Sequence, residues 1–201
     1  MACIPRYYEF KTDVPWVRSN GETRMVSYLL MENCQGLEIF DFVNEVEGIA
    51  DEALLRYIFK EILKALNALH KAGMAHRDVK LENMMITYNY EVKLIDMGMF
   101  SPLVGTAKTG FFSSKKGTPQ YMCPEVHKGA PYQGADADLF ATFVALFIMR
   151  MFRYPFQAAI SKGSQGDYNY YCLQRSDTKE YWDMFDDEPS AEFKNLVEVM
   201  L

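Results

Sequence analysis

Apolar residues recur along this chain with two different spacings. Between Asp51 and Gly73, the residues Leu55, Ile58, Ile62, Leu66 and Leu69 follow one another at steps of three and four. That period puts them on one face of a helix. Asp51 stands where an N-cap carboxylate takes up free N–H groups, and Gly73 where a left-handed residue closes the last turn. A denser run, Leu139 to Met149, holds eleven residues between Asp138 and Arg150. A membrane span needs about twenty, so a buried core helix is the expectation. Further helices are predicted over roughly 136–152, 165–174 and 190–200, and a short one over 36–43.

The alternating or β-rich stretches lie elsewhere. "RYYEF" (6–10) and "TRMVSYLLM" (23–31) predict two strands, with 11–22 as the loop between them and Asn20-Gly21 as its turn signal. "MMITY" and "VKLI" flank Asn89-Tyr90-Glu91 and predict a small hairpin. Residues 96–125 show no period. A loop of that length inside a compact domain is usually functional or disordered.

Composition narrows the classes. The chain has 201 residues, 49% hydrophobic and 24% charged, with a formal net charge of −6. That allows one substantial core and argues against a nucleic-acid partner. The four cysteines, Cys3, Cys34, Cys123 and Cys172, are far apart and form no C-x-x-C pair. Neither a disulfide framework nor a structural zinc site is expected. With no charged-then-apolar leader, the reading is a reduced, cytoplasmic protein without a membrane span.

The chemistry gathers in "HRDVKLEN", residues 76–83. Asp78 and Asn83 are five apart on a segment that leaves a helix, so both can face one cleft. Asp78 can accept a hydroxyl proton, Lys80 can neutralise phosphoryl charge, and Asn83 offers a neutral oxygen to a hard cation. Thirteen residues on, "LIDMG" places Asp96 after an apolar strand as a second oxygen ligand, with Gly98 permitting a sharp turn. A base, a cation and a metal pair are most of what phosphoryl transfer requires.

The ordered series "HRDVKLEN", "DMG" and "GTPQYMCPE" resembles the eukaryotic serine/threonine protein kinases, closest in tone to the calcium/calmodulin-dependent group. The likeness runs from near Ile4 to Leu201. It implies an α+β, protein-kinase-like fold: mostly the helical C-lobe, with two or so N-lobe strands and an incomplete N-lobe. Residues 1–33 would be the N-lobe remnant and hinge, and 34–201 the C-lobe.

The resemblance also assigns roles. Asp78 matches the catalytic base, Lys80 the γ-phosphate contact, and Asn83 and Asp96 the Mg²⁺ ligands. His76 matches a structural histidine, and Arg77 the partner of a phosphorylated loop. Met97 stands in place of the aromatic residue that packs against that histidine. Thr118 would bond Asp78 and Lys80. Ser114 would carry an activating phosphate from an upstream kinase, with Ser113 and Thr109 as competitors. Glu125 is retained from A-P-E, and Asp138 would tie down the catalytic-loop backbone. For ATP, Met31 would be the gatekeeper, the backbone of Glu32 and Cys34 would meet the adenine edge, Met85 would close the pocket, and Glu38 would touch ribose. Glu38 and Glu82 also suggest protein substrates with basic residues flanking the Ser or Thr, although a third such acid is replaced by Ile148.

Two features of the kinase pattern are missing from these residues. Only thirty residues precede Met31, and they hold no Gly-rich loop and no V-A-I-K lysine; Lys11 is the only Lys there. The expectation is a kinase fragment with little activity alone, the alternative a truncated, inactive scaffold or binding module.

Overall fold

The computed structural model describes residues 3–105, 108–161, 166–175 and 177–200. Strands β1 (Tyr7–Val17) and β2 (Thr23–Met31) form an antiparallel hairpin. The expected loop over 11–22 is therefore too long. Val14, Trp16 and Val17 suit an extended backbone, and β1 continues through them. Pro15 is tolerated because β1 has β2 as its only neighbour strand among the described residues. The turn shrinks to 18–22, where Arg18 N–H donates to Glu22 O at 2.9 Å and Gly21 takes φ +84°. Tyr8, Phe10, Trp16, Met25 and Leu30 of the hairpin are exposed.

The segment expected as a helix over 36–43 divides instead. Gly36–Glu38 is strand β3 and Ile39–Glu45 is helix α1. A Cβ on Gly36 would come 2.1 Å from Ile86 O on the neighbouring strand, so only glycine allows this approach. Helix α2 (Glu52–Lys71) follows its predicted bounds closely. Asp51 Oδ1 accepts from Ala53 N–H at 2.8 Å and Leu54 N–H at 3.2 Å, and the five apolar positions are buried.

Strand β4 (Met74–Ala75) leads into the 76–83 segment, which ends in a short 3₁₀ turn. The predicted hairpin forms as β5 (Met84–Thr87) and β6 (Val92–Leu94), with sheet order β3-β5-β6. Residues 96–125 are not featureless. They contain a 3₁₀ turn at 97–99, strand β7 (Ser101–Pro102) antiparallel to β4, another turn at 119–121, and the start of helix α3 (Pro124–Lys128).

Helix α4 (Gly134–Met151) is the central pillar, buried on every side from Ala141 to Met149. Each fully buried Leu, Ile, Phe or Val contributes about 1.5–3 kcal/mol. Helix α2 packs on α4, as does α7 (Ala191–Met200). The site lies where β4 and β7 reach the N-terminal end of α4. At the far end, Phe147 gathers the rings of Tyr181, Trp182, Phe185 and Phe193. Helix α5 (Tyr168–Leu173) is shorter than the predicted 165–174, whose first residue lies outside the described residues; so does Leu201. Helix α6 (Lys179–Trp182) is too short to leave a period in the sequence. Among the described residues no helix is long and apolar enough to cross a membrane.

Candidate active site

The 76–83 segment is suspended from α4 by one carboxylate. Asp138 is 1% exposed; Oδ2 accepts the backbone N–H of His76 at 2.8 Å, and Oδ1 that of Arg77 at 2.7 Å. His70 Nε2, from the end of α2, lies 2.8 Å from the same Oδ2. Three elements thus meet on Asp138. Arg77 takes a left-handed φ of 68°. That conformation costs about 1–3 kcal/mol, and the bonds to Asp138 help hold it.

Beyond Arg77 the chain presents Asp78. Its Oδ1 accepts from the Thr118 hydroxyl at 2.9 Å, and its Oδ2 from Asn83 Nδ2 at 3.1 Å. Lys80 Nζ lies 3.4 Å from Asp78 Oδ2 and donates to Thr118 Oγ1 at 3.2 Å. Asn83 Nδ2 also donates to Asp78 O at 2.9 Å. With its nitrogen held by Asp78, the Asn83 carboxamide oxygen faces the other way. Gly117 brings Thr118 this close. It has φ +112°, and a Cβ there would stand 2.9 Å from Arg77 O.

Asp96 sits beside this group. Ile95 N–H donates to Asn83 O at 2.9 Å, which fixes the approach to Asp96. Asp96 itself holds the left-handed position of the turn, φ 59°, and its Oδ1 accepts from Gly98 N–H at 3.0 Å. Gly98 does not take a left-handed φ; it leaves room for the Asp96 carboxylate, because a Cβ there would sit 3.1 Å from Oδ1. The His76 ring, fully buried, is contacted by Phe100 at 4.7 Å between centroids; Phe100 and Met97 are both half-buried. Burial holds the His76 imidazole below its ordinary pKa.

Arg77 points to a different neighbourhood. Nη1 donates to Ser101 Oγ at 2.9 Å, and Nη2 donates to Ser114 Oγ at 2.6 Å and Tyr132 Oη at 2.9 Å. Its guanidinium lies 4.3 Å from the Phe112 ring centre. Glu125 is exposed on α3 and borders a groove of about 620 Å³ with Lys128, Asp136 and Tyr170.

Met31 ends β2, and Glu32 and Cys34 follow it. The Glu32 carboxylate pairs with Lys93 and accepts from Arg6 N–H at 3.0 Å, while Glu32 N–H donates to Arg6 O at 2.7 Å. Lys93 and then the Arg6 N–H hold the Glu32 carboxyl below its usual range, and Glu32 raises the Lys93 amine. Strand register sets Glu38 opposite Met85, and Met85 opposite Lys93.

Sequence reasoning missed His70, Lys93 and Phe100. His70 lies on α2, three residues before its Gly73 stop, where a cation suits the helix end. That was its only local signal. Lys93 sits in an apolar strand, where a lysine needs a partner. Phe100 gave no signal, since 96–125 read as an irregular loop.

Residues 8–201 match the family model described as "Protein kinase domain". Sperm motility kinase 2B of Mus musculus is 34% identical over 138 residues, 69% of this chain and 28% of that protein. Serine/threonine-protein kinase chk1 of Schizosaccharomyces pombe is 31% identical over 156 residues, 78% and 30% respectively. Maternal embryonic leucine zipper kinase of Danio rerio is 35% identical over 129 residues, 64% and 19%. The chain therefore spans less than a third of the length of these relatives. Its α+β fold, with a helical body and a two-stranded remnant of the smaller lobe, and its match to the family model together make it a member of the protein kinase domain family.

Proposed function

We propose that the protein transfers the γ-phosphoryl group of ATP to Ser or Thr side chains of proteins. The observation that carries this reading is the Thr118 hydroxyl bridging Asp78 and Lys80, at 2.9 and 3.2 Å. It joins a carboxylate that can accept a hydroxyl proton to an ammonium that can steady phosphate charge. Asp78 orients the incoming hydroxyl, and Lys80 offsets the charge spread over the transferring oxygens.

The donor set fits Mg²⁺. Asn83 offers a neutral oxygen on the side turned from Asp78, and Asp96 offers a carboxylate whose Oδ1 accepts from Gly98 N–H. Both are hard ligands. Bound there, the ion would neutralise charge on the nucleotide phosphates. Met31, the backbone of Glu32 and Cys34, and Met85 would take the adenine, and Glu38, opposite Met85, the ribose.

Basic residues flanking the substrate Ser or Thr are favoured by one local feature. Glu82 Oε2 is buried and has no hydrogen-bond partner among the described residues, and a guanidinium would satisfy it. A phosphate placed on Ser114 by an upstream kinase would meet the Arg77 guanidinium directly. Because these 201 residues hold neither a Gly-rich loop nor a V-A-I-K lysine, the isolated chain is expected to turn over slowly.

A binding module is the second reading. The exposed Phe10, Trp16, Met25 and Leu30 on the β1-β2 hairpin favour it. The test is Mg²⁺-dependent transfer from labelled ATP to Ser and Thr peptide arrays, with Asp78→Asn as the control. Transfer abolished by that change supports the enzyme. Transfer to tyrosine peptides alone, or unchanged by Asp78→Asn, overturns it.

A further inference from the structure

We infer that Phe100 is a positioning residue, clamping the Asp96 turn onto the Asp78 segment through the His76 ring. Its catalytic consequence rests on the phosphoryl-transfer reading above; its structural content does not.

The clamp follows from strand register. Strand β7 pairs with β4 so that Ser101 faces Ala75 and Pro102 faces Met74. Continuing that antiparallel register by one residue sets Phe100 beside His76. Their rings lie 4.7 Å apart, tilted by 57°, an arrangement that aromatic rings favour. Phe100 packs against the main core, and Met97 does not appear in that packing.

His76 transmits the contact. Its Nδ1 accepts the Asp78 backbone N–H at 3.3 Å, so the ring edge touches the residue that carries the candidate base. Its Nε2 is buried and makes no hydrogen bond of good geometry among the described residues, although the Ile95 backbone lies against the imidazole. The Ile95 backbone and the Phe100 ring together hold its orientation on that side.

The other end of the clamp is the Asp96 turn. Phe100 N–H donates to Met97 O at 3.1 Å and closes the 97–99 turn. Ile95 N–H donates to Asn83 O on the opposite side. Asp96, in a left-handed conformation between these two fixed points, is held at one end by Asn83 and at the other by Phe100. In this chain the aromatic contact to His76 has moved three positions along the loop. Met97 is consequently released from the packing role that its place in the D-x-G motif suggests.

The test uses the 201-residue chain and four substitutions. The chain has only three histidines, so the His76 imidazole protons can be assigned by NMR. Phe100→Ala removes their ring-current shift and speeds amide exchange at residues 96–99. Phe100→Tyr retains both signatures. Phe100→Leu fills the volume and guards against simple unfolding; it loses the ring-current shift while the rest of the spectrum stays native. Met97→Ala moves neither signal. The inference is overturned if Met97→Ala moves the His76 signals and Phe100→Ala leaves them in place. In a transfer assay, Phe100→Ala lowers kcat about tenfold or more, as misplacement of reacting groups does, and Phe100→Tyr restores most of it. If the wild-type protein transfers no phosphate, the enzyme reading fails, and the NMR and exchange signals still decide the clamp.

Discussion

Thr118 donates its hydroxyl to Asp78 Oδ1 at 2.9 Å across 40 residues of sequence. Thr118 Oγ1 in turn accepts from Lys80 Nζ at 3.2 Å. Removing it leaves Asp78 and Lys80 in direct contact, where the ammonium can pull the carboxylate away from an incoming hydroxyl. Thr118→Val is therefore expected to lower kcat by about ten- to a hundredfold, within the range that general-base positioning controls. Thr118→Ser keeps the bridge and most of the rate. Steady-state kinetics with a Ser peptide separates the two, and an equal loss in both variants would count against the bridge.

Much of this site was legible in residue order, and its supports were not. The α2 helix, its Asp51 cap and the β5-β6 hairpin follow from period and turn chemistry, because those signals are local. Asp78, Lys80, Asn83 and Asp96 are visible because "HRDVKLEN" and "DMG" resemble the motifs of the protein kinases. The contact of His70 with Asp138 spans 68 residues, and the pairing of Lys93 with Glu32 spans 61. Each depends on how α2 packs on α4, or on how β6 meets the residue just after β2, and no local period encodes that. Strand β1 runs past the predicted 6–10 through Asp13 and Pro15, residue types that suit loops better than central strands. Its edge position tolerates them.

Asp138 carries more structural consequence than any single residue of the 76–83 segment. Asp138→Ala would leave two buried backbone N–H groups without acceptors, each worth about 1–3 kcal/mol. A loss of about 3–5 kcal/mol is expected, the scale seen when one partner of a buried charged network is removed. Asp138→Asn keeps one acceptor oxygen and falls between. Urea titration monitored by tryptophan fluorescence measures both; equal stability of Asp138→Ala and wild type would refute the suspension.

Gly117 has a backbone reason to be glycine. Gly117→Ala places a methyl group 2.9 Å from Arg77 O at a φ of +112°. The expected cost is about 1–3 kcal/mol, taken partly as displacement of Thr118. Thermal unfolding should show the loss. The catalytic defect of Gly117→Ala should resemble that of Thr118→Val, since both separate Thr118 from Asp78.

Glu32 and Lys93 give the chain a defined acid response. The Lys93 amine, and secondarily the Arg6 N–H, lower the folded-state pKa of Glu32 below its ordinary 4.5. A carboxyl with a depressed folded pKa stabilises the protein at pH values above its unfolded pKa, and that contribution is lost as pH falls through the folded value. Wild type should therefore be more stable than Glu32→Gln at neutral pH. The difference should shrink only below the ordinary carboxylate range and vanish under the depressed pKa. Lys93→Met removes the main cause, so in that background Glu32 should titrate closer to its ordinary value. Urea midpoints followed from pH 7 downward for wild type and the two variants test this. A Glu32→Gln difference that stays constant down to pH 3 would show that the ion pair does not set the response.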